Sequence, residues 1–124
     1  MIKGSSGTWS WRENPAEPPG RAAYRAAVYT ETAFFDILLP GDSRSLKQKR
    51  SYVRPIIAML RKYEVSVAEV DHLDLHGRAG IGVAVVAADI AHARSVIDTC
   101  EHQVAGRPEI ELLSVRRRLH GDDD

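Results

Sequence analysis

Two histidines and an aspartate alternate along a polar segment of the chain. His72, Asp74 and His76 stand at i, i+2 and i+4, so an extended backbone would place the three side chains on one face. Two imidazoles and a carboxylate are ligand types for zinc, and they also make up the facial triad of non-haem iron sites. Glu69 lies nearby as a fourth ligand or a general base. The segment therefore predicts a zinc or iron site if it stays extended, and an ordinary polar hairpin tip if it turns.

The second candidate for chemistry is a concentration of positive charge. Residues 40–62 carry seven Lys and Arg residues against one acid, whereas residues 63–124 carry twelve acids against six arginines. Rows of cations bind phosphate backbones and make that binding salt-dependent. Four cations at i, i+3, i+7 and i+14 would form such a row beside the apolar face of a helix: Lys47, Arg50, Arg54 and Arg61. The alternative is a solvated helix face whose cations pair with the acidic second half of the chain.

Three consecutive arginines near the C-terminus extend the predicted basic surface. We expect them at the end of the last strand, near Arg61 at the far end of the first helix. Sheets that recognise RNA by base stacking carry aromatic residues on both central strands, but the predicted third strand has none. Contacts to phosphates or to protein are therefore favoured over stacked bases. The full predicted nucleic-acid-binding set is Lys47, Lys49, Arg50, Arg54, Arg61, Arg116, Arg117 and Arg118.

Other chemically active residue types give weaker signals. Cys100 lies in the apolar arc of a predicted helix, which is typical of an inert core thiol. The chain has no Walker, Gly-x-Ser-x-Gly or Cys-x-x-Cys motif. We assign no catalytic residue, and a non-catalytic role is favoured over an enzyme.

The elements that would position these groups alternate between strands and helices. Ser45 and Asp89 are residue types that cap helix N-termini, and each precedes a segment whose apolar residues share one arc. Segments rich in β-branched and small apolar residues predict the strands. The patterns predict strands over residues 26–39, 65–70, 79–88 and 108–119, and helices over residues 46–63 and 90–105.

This order, β-α-β-β-α-β, predicts a ferredoxin-like α+β sandwich in which two helices cover one face of a four-stranded antiparallel sheet. One domain would span residues 26–120. Residues 1–25, rich in Gly, Pro and Ser but containing Trp9 and Trp11, are expected to form a flexible extension, and residues 121–124 an acidic tail. Apolar residues on both faces of the central strands also make a homodimer plausible.

Composition narrows the function classes. The chain has 124 residues, 44% hydrophobic and 27% charged, with a formal net charge of zero, which excludes a simple polycationic nucleic-acid binder. No apolar run approaches the roughly 18 to 20 residues of a membrane span, and no secretory signal is recognisable. A single cysteine favours a reducing compartment, so we expect a cytoplasmic protein without a membrane partner.

Six short motifs follow one another along the predicted domain: Asp36-Ile-Leu-Leu-Pro-Gly, Ser45-Leu-Lys-Gln-Lys-Arg-Ser, Val65-Ser-Val-Ala-Glu-Val, Asp74-Leu, Arg78-Ala-Gly-Ile-Gly-Val-Ala-Val-Val and Glu111-Leu-Leu-Ser-Val-Arg-Arg. With these motifs the chain resembles the DUF503 or YlxP-like family of small bacterial proteins over about residues 28 to 120. The resemblance implies a ferredoxin-like domain and, because the family's genes lie beside those for translation initiation factor two and a ribosome-binding factor, a role near RNA or the ribosome. It implies no catalytic residues, and the N-terminal extension and His76 depart from the family pattern.

Together these observations predict a non-catalytic accessory protein that associates with RNA or the ribosome through its basic first helix. The alternatives are a metal-binding protein or small enzyme that uses His72, Asp74 and His76, and a homodimeric protein-interaction module.

Overall fold

The structure, a computed structural model, describes residues 26–121. The predicted extension over residues 1–25, with Trp9 and Trp11, and most of the predicted acidic tail lie outside the described residues. Six elements follow one another in the predicted order, and they confirm the ferredoxin-like sandwich: β1 (Tyr29–Leu38), α1 (Leu46–Arg61), β2 (Ser66–Asp71), β3 (Arg78–Ala87), α2 (Ile90–Ala105) and β4 (Glu111–His120).

The four strands form one antiparallel sheet in the order β2-β3-β1-β4. Successive side chains of a strand point to opposite faces, and β1 shows this directly. Its odd-numbered residues from Glu31 to Ile37 are buried beneath the helices, whereas the even-numbered residues between them are only half-buried. We call the face that the helices leave uncovered the open face. Phe34 lies on it, opposite Gly82 of β3 and Arg116 of β4.

Both helices begin at the predicted capping residues. The side chain of Ser45 accepts a hydrogen bond from the Gln48 backbone N–H at 3.1 Å, and Asp89 accepts one from the His92 backbone N–H at 2.7 Å. Such caps stabilise a helix by about 0.5 to 2 kcal/mol because they satisfy backbone donors that have no partner inside the helix. The caps therefore fix the first residue of each helix, and with it the point at which the basic and apolar faces of that helix begin.

The core lies between the helices and the covered face of the sheet. Each large apolar side chain moved there from water contributes roughly 1.5 to 3 kcal/mol to folding. The largest fully buried side chains are Phe35, Ile37, Ile56, Leu60, Ile81, Ile97, Val104 and Cys100.

Among the described residues, neither helix is long and apolar enough to cross a membrane.

Two glycines of β3 let side chains lie close against the open face. A Cβ placed on Gly80 would stand 2.7 Å from both Asp71 Cβ and Phe34 Cε1, and one on Gly82 would stand 3.2 Å from the methyl groups of Val70. Close packing therefore accounts for these glycines, as their position within a strand predicts.

Replacing Gly80 with Ala should lower the free energy of unfolding by about 1 to 3 kcal/mol, because the new methyl group displaces Phe34 or shifts the strand. The matched control is Gly77→Ala in the β2–β3 connection, where a Cβ meets nothing within 4 Å. Urea denaturation followed by circular dichroism measures both variants. Equal stability of the two variants would contradict the packing of Phe34 on Gly80.

Candidate nucleic-acid interface

Four exposed cations on α1 form a single row. At 100° per residue they occupy roughly 60° of the helix circumference and extend roughly 21 Å along its axis. The buried side of the helix carries Val53, Ile56 and Leu60, so the row flanks the core instead of opposing it. All four side chains are exposed, and Arg44 and Lys62 are exposed beyond the two ends of the row. We call the row the basic stripe: Lys47, Arg50, Arg54 and Arg61.

No described carboxylate lies within ion-pair distance of the basic stripe. The acids of the second half that form ion pairs do so with other cations: Glu109 with Arg107, Asp98 and Glu101 with Arg117, and Glu69 with Lys49, which lies on α1 but outside the stripe. The alternative that the acidic half neutralises this helix therefore does not describe the stripe. Its cations face solvent, where the cost of desolvating them is low and a phosphate can approach.

Lys49 belongs to the predicted set but has a different role. It is 3% exposed, its Nζ lies 2.7 Å from Glu69 Oε2, and it donates a hydrogen bond to the backbone oxygen of His72 at 2.6 Å. The contact with Glu69 has the distance of an ion pair but not the angles of a hydrogen bond. Lys49 thus joins α1 to β2 and to the turn that follows, and its ammonium is not accessible to a phosphate.

The three consecutive arginines of β4 do not lie beside Arg61, contrary to the expectation from the sequence. Strand alternation sends Arg116 and Arg118 to the open face, opposite Phe34 and Thr32, and Arg117 to the covered face. The covered face beside β4 is occupied by α2, whereas α1 packs against β2. The predicted basic surface is therefore divided between the basic stripe and the open face.

Arg117 is held by acids on two elements. Its guanidinium contacts Glu31 at 2.8 Å, Asp98 at 2.6 Å and Glu101 at 3.3 Å, and it also donates to the backbone oxygen of Arg94 at 3.3 Å. Burial lowers the pKa of Arg117, but the hydrogen bonds to Asp98 and Glu31 together with the negative charges of these acids outweigh burial and raise the pKa overall. Through these contacts Arg117 links β4 to β1 and to α2.

Cys100 lies fully buried on α2, in agreement with a core thiol. Burial raises the pKa of the thiol, and the opposing effect of the Arg117 charge is smaller. Since the thiolate is the reactive form, the raised pKa and the burial of the sulfur both disfavour reaction at this thiol.

The structure does not bring the predicted metal ligands together. The connection after β2 turns at His72, which has a left-handed φ of 57°, and Leu75 N–H donates to the His72 oxygen at 3.1 Å. His72 Nε2 instead lies 3.5 Å from Asp36 Oδ1, a carboxylate already bound by Arg78. Asp74 and His76 are exposed, and Glu69 is paired with Lys49. Across residues 26–121, no cluster of three or more His, Cys, Asp or Glu residues could hold a metal ion.

A groove of mixed character beside the basic stripe was not anticipated. It lies between α1 and β2 and has a volume of about 320 Å³. Its lining combines apolar residues with charged ones: Leu46, Val53, Ile57 and Leu73, and Lys49, Arg50, Arg54 and Glu69. Leu73 is 61% exposed and Leu46 42%. Leu73 lies in a segment whose polar residues indicate a loop, so only the fold shows that it reaches the first helix.

Replacing Lys49 with Met should lower the free energy of unfolding by about 2 to 4 kcal/mol, less than a fully buried pair would lose because Glu69 keeps some contact with water. The control Lys47→Met removes the same charge from the stripe and should change stability by about 0.5 kcal/mol or less. Adding Glu69→Leu to Lys49→Met should recover part of the loss, because no unpaired carboxylate then remains. Chemical denaturation measures all three variants, and a tolerated Lys49→Met would show that the pair does not hold α1 in place.

Comparisons with known proteins give a family and no activity. No curated protein matches the chain. A solved structure that it resembles is the de novo designed protein Foldit4, with 12% sequence identity, a TM-score of 0.44, and coverage of 76% of this chain and 96% of the designed one. The family model described as "Protein of unknown function (DUF503)" matches residues 32–117. Because that match spans more than half of the sequence, the chain belongs to the DUF503 family.

Proposed function

We propose that the protein is a non-catalytic accessory protein that binds the phosphate backbone of RNA, free or in the ribosome, through the basic stripe of α1. The observation that carries the proposal is the row of four exposed cations without a carboxylate partner among the described residues. A chain with zero net charge that keeps such a row unpaired has a local positive field despite its overall neutrality. The proposal includes a cytoplasmic location, because the ribosome is found in that compartment.

The geometry suits backbone contacts better than base recognition. The stripe lies along one side of a rigid helix, so its cations can follow successive phosphates of one strand, and Lys and Arg reach phosphates without reading the sequence. Phe34, an aromatic side chain of the central strands on the open face, is covered by the Arg116 guanidinium, whose Cζ lies 4.6 Å from the ring centroid. Base stacking on the sheet is therefore not part of the proposal.

The groove between α1 and β2 adds an apolar contact next to the charges. Arg50 and Arg54 belong both to the stripe and to the lining of the groove, while Leu46 and Leu73 supply exposed apolar surface. A strand bound along the stripe would bring sugars or bases over these leucines, which favours irregular or single-stranded RNA because a duplex keeps its bases stacked inside.

The metal-protein and enzyme alternatives receive no support from the geometry. The turn at His72 separates the three predicted ligands, and Asp36, the acid nearest to the His72 imidazole, is bound by Arg78. We therefore argue no second function from this turn.

Co-sedimentation with ribosomes and with total RNA across a salt series tests the proposal. Four phosphate contacts predict that log K falls with log salt with a slope of about −3 to −4. The variant Lys47→Gln/Arg50→Gln/Arg54→Gln should weaken binding at least tenfold, since each lost contact removes counterion release.

The matched control is Arg94→Gln/Arg116→Gln/Arg118→Gln, which removes the same charge from exposed positions outside α1. This control should keep the binding of the unaltered protein. Absence of binding at low salt would overturn the proposal, and so would an equal loss in both triple variants, because net charge and not the stripe would then control binding.

A further inference from the structure

The open face of the sheet contains a hollow away from the basic stripe. Its volume is about 510 Å³, within the range of pockets that hold small molecules. Small side chains of β1, β2 and β3 line its floor, with larger groups around them. The residues that define it are Thr32, Phe34, Ala68, Ala84, Arg116 and Arg118.

The hollow exists because small residues meet at one level of the sheet. Thr32, Ala84 and Ser66 stand opposite one another on β1, β3 and β2, and Ala68 stands opposite Gly82 at the next level. At the level of Ala84, large side chains are therefore missing across three neighbouring strands. Val70, packed over Gly82, adds an apolar group beside this floor. A flat group can thus lie against the sheet without displacing any core residue.

Two arginines supply positive charge at one side of the hollow. Arg116 and Arg118 alternate onto the same face of β4, and no described carboxylate lies within ion-pair distance of either. The stacking of Arg116 on Phe34 orients its guanidinium and leaves its N–H donors without a partner in the described part of the chain. One oriented guanidinium, with that of Arg118 exposed beside it on the same face of β4, favours an oxyanion.

Two acids of the open face, Asp36 and Asp71, do not cancel this charge, and Glu111 lies further along β4, opposite Leu38. Asp36 is bound by Arg78 through two hydrogen bonds at 3.1 and 2.6 Å. Asp71 accepts a hydrogen bond from the His72 backbone N–H at 2.8 Å. Both acids stand at the level of Gly80, whereas the arginines stand at the levels of Gly82 and Ala84. The hollow is therefore locally positive with an apolar floor.

We propose that this hollow binds a small planar anion of the nucleoside monophosphate class. The ring lies on the floor formed by Ala68, Ala84 and Thr32, and the phosphate is bound by Arg116 and Arg118. The combination of a flat apolar floor with two unpaired guanidiniums at its side carries the proposal. It does not depend on the proposed RNA-binding role, because the hollow and the basic stripe lie on opposite sides of the sheet.

A titration of the amide resonances of the full chain with AMP tests the proposal, with adenosine and inorganic phosphate as separate arms. AMP should shift the amides of Thr32, Gly82 and Ala84, and each separate fragment should bind at least about tenfold more weakly, since it makes only one of the two kinds of contact. A single-stranded RNA without a terminal phosphate distinguishes a free nucleotide from an RNA strand. Stronger shifts at the hollow with this RNA than with AMP would overturn the proposal.

Three variants locate the site. Arg118→Gln and Ala68→Leu, one removing charge and the other filling the floor, should each weaken AMP binding at least about fivefold, while Arg50→Gln on α1 removes one charge and should leave it unchanged. Arg118→Gln should also leave co-sedimentation with ribosomes unchanged, so failure of one proposal is distinguishable from failure of the other. Both hollow variants change exposed residues, and a native amide spectrum shows that each is folded.

Other outcomes would contradict the assignment. Amide shifts confined to α1 would show that AMP binds the basic stripe and not the hollow. Equal affinity for adenosine and AMP would show that Arg116 and Arg118 do not contribute to binding through the phosphate. Amides of the hollow that shift with protein concentration, together with a doubled mass in analytical ultracentrifugation, would identify a second copy of the chain as the occupant of the open face.

Discussion

The buried ammonium of Lys49 is the contact on which the arrangement of the first half of the fold depends. A charge this far from water is tolerated only when it is paired, and its two partners are on other elements: Glu69 on β2 and the backbone oxygen of His72 in the next turn. Ser43 Oγ adds a hydrogen bond to the His76 oxygen at 2.7 Å. The start of α1 is thereby tied to the β2–β3 connection, with the groove between α1 and β2 and the stripe exposed along the helix.

Arg117 plays the corresponding part in the second half of the fold. It draws Glu31 of β1 and two acids of α2 toward β4, the strand at the edge of the sheet. Glu31 is buried, with one carboxylate oxygen that has no hydrogen-bond partner, so its pairing with Arg117 limits a substantial desolvation cost. Among the basic residues of α1 and β4, the fold therefore uses Lys49 and Arg117 internally and leaves the others exposed.

This division gives the molecule two positively charged surfaces with different shapes. The basic stripe is a convex row along a helix, suited to an extended polyanion, whereas the arginines of the open face border a hollow suited to a compact one. The sheet lies between the two surfaces. An extended partner on α1 therefore leaves the hollow accessible, and the two proposed ligands need not compete.

The sequence by itself determined the elements, their caps and the fold class, because these follow from local periodicity: 3.6 residues in the helices and two in the strands. It also placed Cys100 in the core and the four cations of the stripe on one side of α1. Family membership agreed with the motifs in the strands and in the first helix.

Only the tertiary structure decided which charges are free. Lys49 lies two residues from Lys47 and in the same basic run, yet its position on the helix turns it toward Glu69, a partner 20 residues away. Arg117 differs from its neighbours by strand parity alone, and it finds Glu31 across 86 residues of sequence. The turn at His72 separated ligands that an extended segment would have aligned. These outcomes depend on register and on contacts between distant elements, which local patterns of residue type do not encode.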